Sequence, residues 1–441
     1  MKLRHVLFLF SIGSFGLAQQ KSPVLTIEDA VALAMKANRQ VQSSALGVDA
    51  ARQQTAAQKT SLLPQFQTYF LGGEALRHVS FDIPRGALGV YPATGPIPGG
   101  NTTVTTPQQF TGLFFAQAAQ PLSQIWKIHL SLVASRIAEE LARESLRQQR
   151  QDTASSVRDL YYQIAQTQTQ IEDADANEKY LAELQEETDR NLAQQAALKG
   201  DSLSVKAKLS QQRYQLLTLR DTIENQKESM NRLLGRDLDA PFSVEVQPMP
   251  APEELDPAAS RREAVQQRTE VREARLQATK AETTVRQERA KYIPDVSATF
   301  SYTTLPNVSF APQNVLHAGF LVQWQPFDWG QKRHQANALR DSAKQASLTE
   351  QDAEQQVAVD VSAKLRALAE ARVWLDTTAL SVEAEREKLR VVTNRYHEKA
   401  ALLSDVLQQQ AAVTSAGDDH ERAVAAFWRA KASFDRALGK E

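Results

Sequence analysis

Fifty-two acidic side chains, seven histidines and no cysteine are what this chain of 441 residues offers to chemistry. The histidines (His5, His78, His129, His317, His334, His397 and His420) are scattered without metal-ligand spacing, and no Gly-rich phosphate loop, HExxH or GxSxG is present. The lack of cysteine excludes a disulfide framework, thiol catalysis, Cys-ligated zinc and an acylated N-terminal cysteine. What does recur is a pair of aspartates. Ala196-Ala197-Leu198 and Asp201 reappear 204 residues on as Ala400-Ala401-Leu402 and Asp405. A carboxylate just inside a helix start is stabilised by the helix dipole whatever else it does. Neither enzyme chemistry nor a cofactor is expected.

The aspartates belong to a larger repetition. Pro64 in LLPQFQTYF pairs with Pro294 in YIPDVSATF at a shift of 230, carrying Val41 onto Val271, Leu46 onto Leu276 and Phe70 onto Phe300. Gln120-Pro121 pairs with Gln325-Pro326 at a shift of 205, and Arg232-Leu-Leu-Gly235 with Arg436-Ala-Leu-Gly439 at 204. Small changes of shift mark loop insertions, and a unit of half the chain is a duplicated domain rather than a solenoid. The four prolines 64, 121, 294 and 326 punctuate the two copies in the same order, where a missing N–H matters least.

No proline falls in the 119 residues between Pro121 and Pro241 or in the 115 after Pro326. Both stretches are rich in Ala, Gln, Leu, Glu and Arg, so long coiled helices dominate. Val205, Leu209, Gln212, Leu216, Leu219, Ile223, Gln226, Met230 and Leu233 keep an unbroken 4,3,4,3 spacing, a seam with two glutamines in it. Val413, Ala416, His420, Ala423, Phe427, Ala430, Phe434 and Ala437 form its counterpart, and Leu375, Val382, Leu389, Tyr396 and Leu403 recur every seven residues. Such stripes read as packing. Earlier in each copy a helix is expected, from Thr26, an N-cap, to about Leu63, and from about Ala258 to Ile293.

After Pro294 the period changes to two. Val296, Ala298, Phe300 and Tyr302 alternate with Ser297, Thr299, Ser301 and Thr303, and Ala318, Phe320, Val322 and Trp324 alternate with polar partners. Each run approaches the ~9–11 residues of a tilted membrane-crossing strand. The first copy alternates more weakly, over about 65–71 and 110–120. The loop from Gly72 to Gln109 is long and rich in Gly and Pro, the one from Asn307 to Asn314 short, and Leu238–Pro257 reads as a linker with one short strand near Phe242–Gln247. Lys2, Arg4, an apolar run and Gly16-Leu17-Ala18 predict an export signal cleaved after Ala18. With no other run near ~20 apolar residues, membrane entry after export would be by β-strands. The 51 basic and 52 acidic residues are interspersed, which gives nucleic acid no patch to bind.

Helix, strand, strand and long helical hairpin, duplicated behind an export signal, resembles the outer-membrane efflux protein (TolC-like) family over the mature chain. Trp324-Gln-Pro-Phe-Asp-Trp-Gly330 is similar to the family's strand-to-helix corner, and Arg395-Tyr396 with Asp405-Val-Leu407 to its hairpin tip; Asn191-Leu192, Asp201 and Leu203 match the tip less closely. The resemblance implies a mainly helical fold with β: a signal peptide over 1–18, repeats over 19–240 and 258–441, and a Pro-rich linker over 241–257. Strands are expected at about 65–71, 110–120, 295–304 and 316–325, and long helices at about 122–238 and 327–438.

The resemblance further implies a homotrimer whose chains each give four strands to one barrel and their helices to a periplasmic tunnel. The implied work is passive exit, in the outer membrane of a Gram-negative-type bacterium, of substrates delivered by an inner-membrane RND, ABC or MFS pump through a periplasmic adaptor (membrane fusion protein). Asp201, Asp405 and Tyr396 stand at positions matching the family's periplasmic aperture, and a ring of carboxylates there would favour cations. Pro64, Pro121, Pro294 and Pro326 would mark the barrel–tunnel junction. Lys399 and Gln195 replace the family's usual glycines, and Ala401 an arginine of its latch. A periplasmic coiled-coil adaptor or scaffold is the competing reading; it needs no duplicated amphipathic strand pairs.

Overall fold

The computed structural model describes residues 23–74, 76–78, 80–105, 110–195, 197–245, 255–306 and 313–440. The expected export signal and most of the linker lie outside them. The first copy runs β1 (Val24–Leu25), α1 (Ile27–Ala37), α2 (Arg39–Thr60), β2 (Gln65–Glu74), then short strands β3 (Ser80–Ile83), β4 (Val90–Tyr91), β5 (Gly95–Pro96) and β6 (Thr102–Thr105), then β7 (Phe110–Pro121), α3 (Ile125–Ala193) and α4 (Lys199–Leu233). The second follows as β8 (Ser243–Val244), α5 (Pro257–Gln267), α6 (Thr269–Ala290), β9 (Asp295–Thr304), β10 (Asn314–Gln323), α7 (Gln331–His397) and α8 (Leu403–Ala437).

The continuous early helices expected from the sequence are each broken once. Asn38 is extended (φ −64°, ψ 126°) between α1 and α2, and Arg268 (φ −62°, ψ 135°) between α5 and α6. Side-chain donors explain both breaks. Asn38 Oδ1 accepts from the amides of Gln40 and Val41 at 2.9 and 3.2 Å, capping α2, while its Nδ2 donates to Leu233 O at 2.9 Å. Arg268 repeats the second contact in kind, donating to Ala437 O at 3.4 Å and to Asp360 at 2.9 Å. Leu233 and Ala437 end the two hairpins, so each break bonds the last turn of its own copy's α4 or α8. The repeated placement of Gly235 and Gly439 has the same origin. Both are left-handed (φ 65° and 83°), and a Cβ would meet Ala37 O at 2.5 Å or Gln267 C at 3.1 Å. Arg236 N bonds Asn231 O and Lys440 N bonds Asp435 O, the six-residue closure of a Schellman ending.

The hairpins are unequal. At 1.5 Å per residue, the 69 residues of α3 and 67 of α7 run about 100 Å, whereas α4 and α8 have 35 residues each. Every expected seam position on α4 and α8 is buried or half-buried. The heptad stripe of Leu375 crosses a helix break: Leu403 is the first residue of α8 rather than part of α7.

Two compact units form, and each draws on both copies. One comprises the described residues within 1–44, 146–269 and 355–441. Its core gathers Leu25, Ile27, Ala34, Val157, Tyr161, Ile164, Met230 and Val244. There β1 and β8 pair in parallel, and the buried Tyr161 hydroxyl bonds Leu25 O and the Glu245 backbone at 3.0–3.1 Å. The linker strand is thus Ser243–Val244 alone among the described residues.

The other unit comprises Ala45–Ser145 and Glu270–Glu354 and holds a four-stranded antiparallel sheet in the order β10-β9-β7-β2. The observed strands shift the expected ends: β2 reaches Glu74, and β10 spans Asn314–Gln323 rather than 316–325, because Gln325-Pro326 lies in the corner beyond it. The register puts Val322 opposite Val296, Phe320 opposite Ala298, Ala318 opposite Phe300 and Leu316 opposite Tyr302. It continues Phe300 to Ala118 and Phe66, so all four strands share one apolar face. Ser297, Thr299, Ser301, Gln117 and Gln67 share the opposite one. The long loop is not bare coil: β3 pairs with β6 and β4 with β5.

Candidate functional site

Two hairpin turns, α3 to α4 and α7 to α8, build the tips on which the aspartates lie. Each turn reverses through one left-handed residue, Gln195 (φ 58°) and Lys399 (φ 59°). Ala400 N closes the second turn onto Arg395 O at 2.7 Å. Asp201 and Asp405 then occupy the same place, the third residue of α4 and α8, and accept from the amides of Leu198 and Leu402 at 3.2 and 3.0 Å. The helix dipole favours both charges there. The 204-residue repetition is therefore a repeated helix cap, whatever further role the carboxylates have.

Tyr396 comes into the packing between the tips. It is half-buried against Leu181, Leu184, Val205, Leu209, Leu403 and Leu407, with Tyr180 beside it. Burial raises its phenol above the usual range, and the carboxylates of Glu187 and Asp201 push the same way. The fold thus brings Tyr396 near Asp201; no bond joins either to Asp405. Asp201 instead lines a groove of about 370 Å³ between α4 and α8, with Ser204, Lys208, Leu403, Ser404 and Leu407. Lys208, Leu407 and Ala411 also line the next recess along the same two helices.

Polar ties that the sequence did not single out lock the helices. Asn177 Nδ2 donates to Gln212 Oε1 at 2.8 Å, and Gln410 Nε2 to Asn177 Oδ1 at 2.9 Å, so one amide relay joins α3, α4 and α8. Gln212, one of the two glutamines in the α4 seam, was its one visible trace. Nearer the tip, Asp189 Oδ1 accepts from Ser202 Oγ at 2.6 Å and Gln185 Nε2 at 2.9 Å, which lowers its pKa, the Gln185 bond foremost. The second tip uses Gln409 on Glu385 at 2.6 Å instead.

The junction prolines fall at helix–strand boundaries. Pro64 and Pro294 directly precede β2 and β9, Pro121 ends β7, and Pro326 lies between β10 and α7. Ser123 Oγ ties this corner by donating to Pro294 O at 2.6 Å and accepting from Val296 N at 2.8 Å. Asp328 caps α7, accepting from Gly330 N and Lys332 N at 3.1 Å each. Among the described residues no group of three or more His, Asp or Glu side chains is arranged to hold a metal.

Two segments of the chain, residues 30–236 and 261–440, match the model of the outer membrane efflux protein family. The chain belongs to that family. It is an efflux protein of the outer membrane. Solved structures share the fold at low identity. The outer-membrane channel OprN superposes with a TM-score of 0.75 at 17% identity, over 94% of this chain and 90% of its own. CusC gives 0.78 at 15%, over 94% and 92%. The Campylobacter jejuni CmeC outer membrane channel gives 0.77 at 15%, over 100% and 94%. No curated protein sequence matches the chain significantly.

Proposed function

We propose that three copies of this efflux protein form one passive duct, each giving β2, β7, β9 and β10 to a shared barrel and its helical hairpins to a periplasmic tunnel. The observation that carries this reading is the sheet's uncovered apolar face. Phe66, Phe70, Phe300, Leu316, Phe320 and Val322 are all more than half exposed. A face of that size in water would be an aggregation surface, whereas in hydrocarbon it is satisfied. No described helix is long and apolar enough to cross a membrane, so the sheet is the part that would. A sheet in hydrocarbon must have no open edge. The strands alternate in direction from β10 to β2, so β2 of one copy meets β10 of the next antiparallel, and a head-to-tail ring closes.

In this reading the tips close the periplasmic end, with Asp201 and Asp405 bordering the aperture and Tyr396 packing between tips. The chain is a conduit rather than a catalyst. Energy comes from an inner-membrane pump of the RND, ABC or MFS class, coupled through a periplasmic adaptor. A periplasmic scaffold would have no use for six exposed apolar residues on one sheet face.

The test is extraction of the outer membrane with mild detergent and light scattering with detergent subtracted. Three chain masses in that fraction are expected. Recovery as a soluble periplasmic monomer would overturn the duct.

A further inference from the structure

The corner after β10 holds a tryptophan in a conformation that tryptophan resists. Trp329 is left-handed (φ 55°) and 88% exposed. A side chain there is strained, and among the described residues its ring makes an edge contact with Phe327 at 4.8 Å between centroids. A strained, bulky and exposed aromatic contributes little to the chain's own core, which directs attention to what lies outside it. It has company. Trp126, Tyr292, Trp324 and Phe327 are each more than half exposed, and all flank the same end of the sheet, where β2 and β9 begin and β7 and β10 end. Aromatic rings gathered at one end of an apolar sheet face are the signature of a membrane–water interface.

Beside these rings lies a recess of about 560 Å³ lined by three lysines. Its lining includes Lys127, Lys291 and Lys332 against one carboxylate, Asp295. Lys127 Nζ donates to Asp295 at 2.6 Å and Ile293 O at 2.9 Å, and Lys332 Nζ to Gln325 O at 2.7 Å, with Asp328 3.8 Å away. An ammonium has three donors, so both retain capacity for a further acceptor. Lys291, paired with Glu288 at 2.7 Å, is the most exposed of the three. The remaining wall is Ile293, Trp324 and Val322, and Val322 lies on the apolar face of the sheet.

Three ammonium groups, each paired with one carboxylate but with donors to spare, beside an apolar wall match an amphiphile with an anionic head. We propose that this recess binds the phosphate headgroup of a glycerophospholipid, with the acyl chains against Val322 and Trp324. The site rests on the membrane-spanning reading of the sheet, and it anchors the depth at which the protein sits. Trp329 and Phe327 enter the interface beside the bound lipid, which accounts for the strain at position 329.

The full chain, purified in mild detergent, is incubated with phosphatidylglycerol micelles, and bound lipid is counted by native mass spectrometry. Lys291→Gln/Lys332→Gln is expected to retain roughly thirtyfold less lipid, since each basic residue at an anionic surface contributes about 1 kcal/mol. The Arg/Arg pair retains it. Should the double variant not fold, Lys291→Gln alone, whose side chain is exposed, is expected to lose severalfold. Equal retention by wild type and Gln variants overturns the proposal. Displacement of the lipid by inorganic phosphate also overturns it, since the recess would then hold a free anion. The same samples separate this site from the duct: a conducting trimer with lysine-independent lipid retention removes only the recess. A lysine-dependent lipid complex that is monomeric removes only the trimer.

Discussion

At the scale of single residues, the aspartates have two demonstrable properties and one proposed. Asp201 and Asp405 cap α4 and α8, and both lie at the very end of a long hairpin. If three copies bring the tips together, six such carboxylates border one opening, and cations are favoured over anions there. Asp405→Ala is expected to lower the cation preference of the reconstituted channel, read as a reversal potential in a salt gradient; Asp201→Ala does the same. An unchanged reversal potential in both variants would show that the carboxylates serve only as caps. The repetition of these aspartates was legible in the sequence, but its immediate cause, the bond back to Leu198 and Leu402, was not. Spacing shows that two residues are equivalent; it does not show what either touches.

At the scale of elements, the turns carry a cost that a glycine would remove. Gln195 and Lys399 sit in the left-handed region, which glycine enters without strain. Relief of strain of roughly 1–2 kcal/mol is offset in part by the backbone entropy of glycine, roughly 0.5–1 kcal/mol. Lys399→Gly and Gln195→Gly should therefore stabilise their turns by about 0.5–1 kcal/mol, seen as severalfold slower exchange of the backbone amides at positions 399 and 400 in the first variant. Faster exchange would mean that the side chain, not the backbone, holds the turn. The long hairpins, the four sheet strands and their register with the prolines followed from periodicity, because a uniform stripe leaves a strong pattern. The breaks at Asn38 and Arg268 did not. Each depends on one side chain reaching a carbonyl about 170–195 residues away along the chain, and no local pattern records such a partner. The amide relay of Asn177, Gln212 and Gln410 escaped for the same reason, apart from the glutamine placed in an apolar seam.

At the scale of the whole molecule, duplication and compact unit do not coincide. The copies follow one another along the chain, while each unit takes pieces of both, and this mixing places acids from opposite copies together. Asp173 and Glu172 of α3 face Asp418 and Glu421 of α8. Burial raises the pKa of Asp418 and of Glu421, and Asp173 acts in the same direction on both; Arg422 opposes it at Asp418. A carboxyl with a raised folded pKa binds more protons folded than unfolded. Its contribution is therefore largest at acidic pH and is lost as pH rises from the ordinary carboxylate range through the raised values. His420, between them in sequence, acts oppositely. Burial and then Arg386 lower its pKa, so stability rises with pH between that lowered value and about 6.5. Two further acids near the tips, Asp189 and Glu385, have lowered values, but the effect of such carboxyls falls below the ordinary carboxylate range, which leaves the Asp418–Glu421 cluster as the stronger influence between pH 5 and neutrality. Melting of the detergent-extracted protein should accordingly occur at a higher temperature near pH 5 than near neutrality, with the difference reduced in Asp418→Asn/Glu421→Gln. His420→Gln should widen it. A double variant with the full wild-type pH dependence would locate the effect elsewhere, with Glu273, also raised by burial, as the next group to replace.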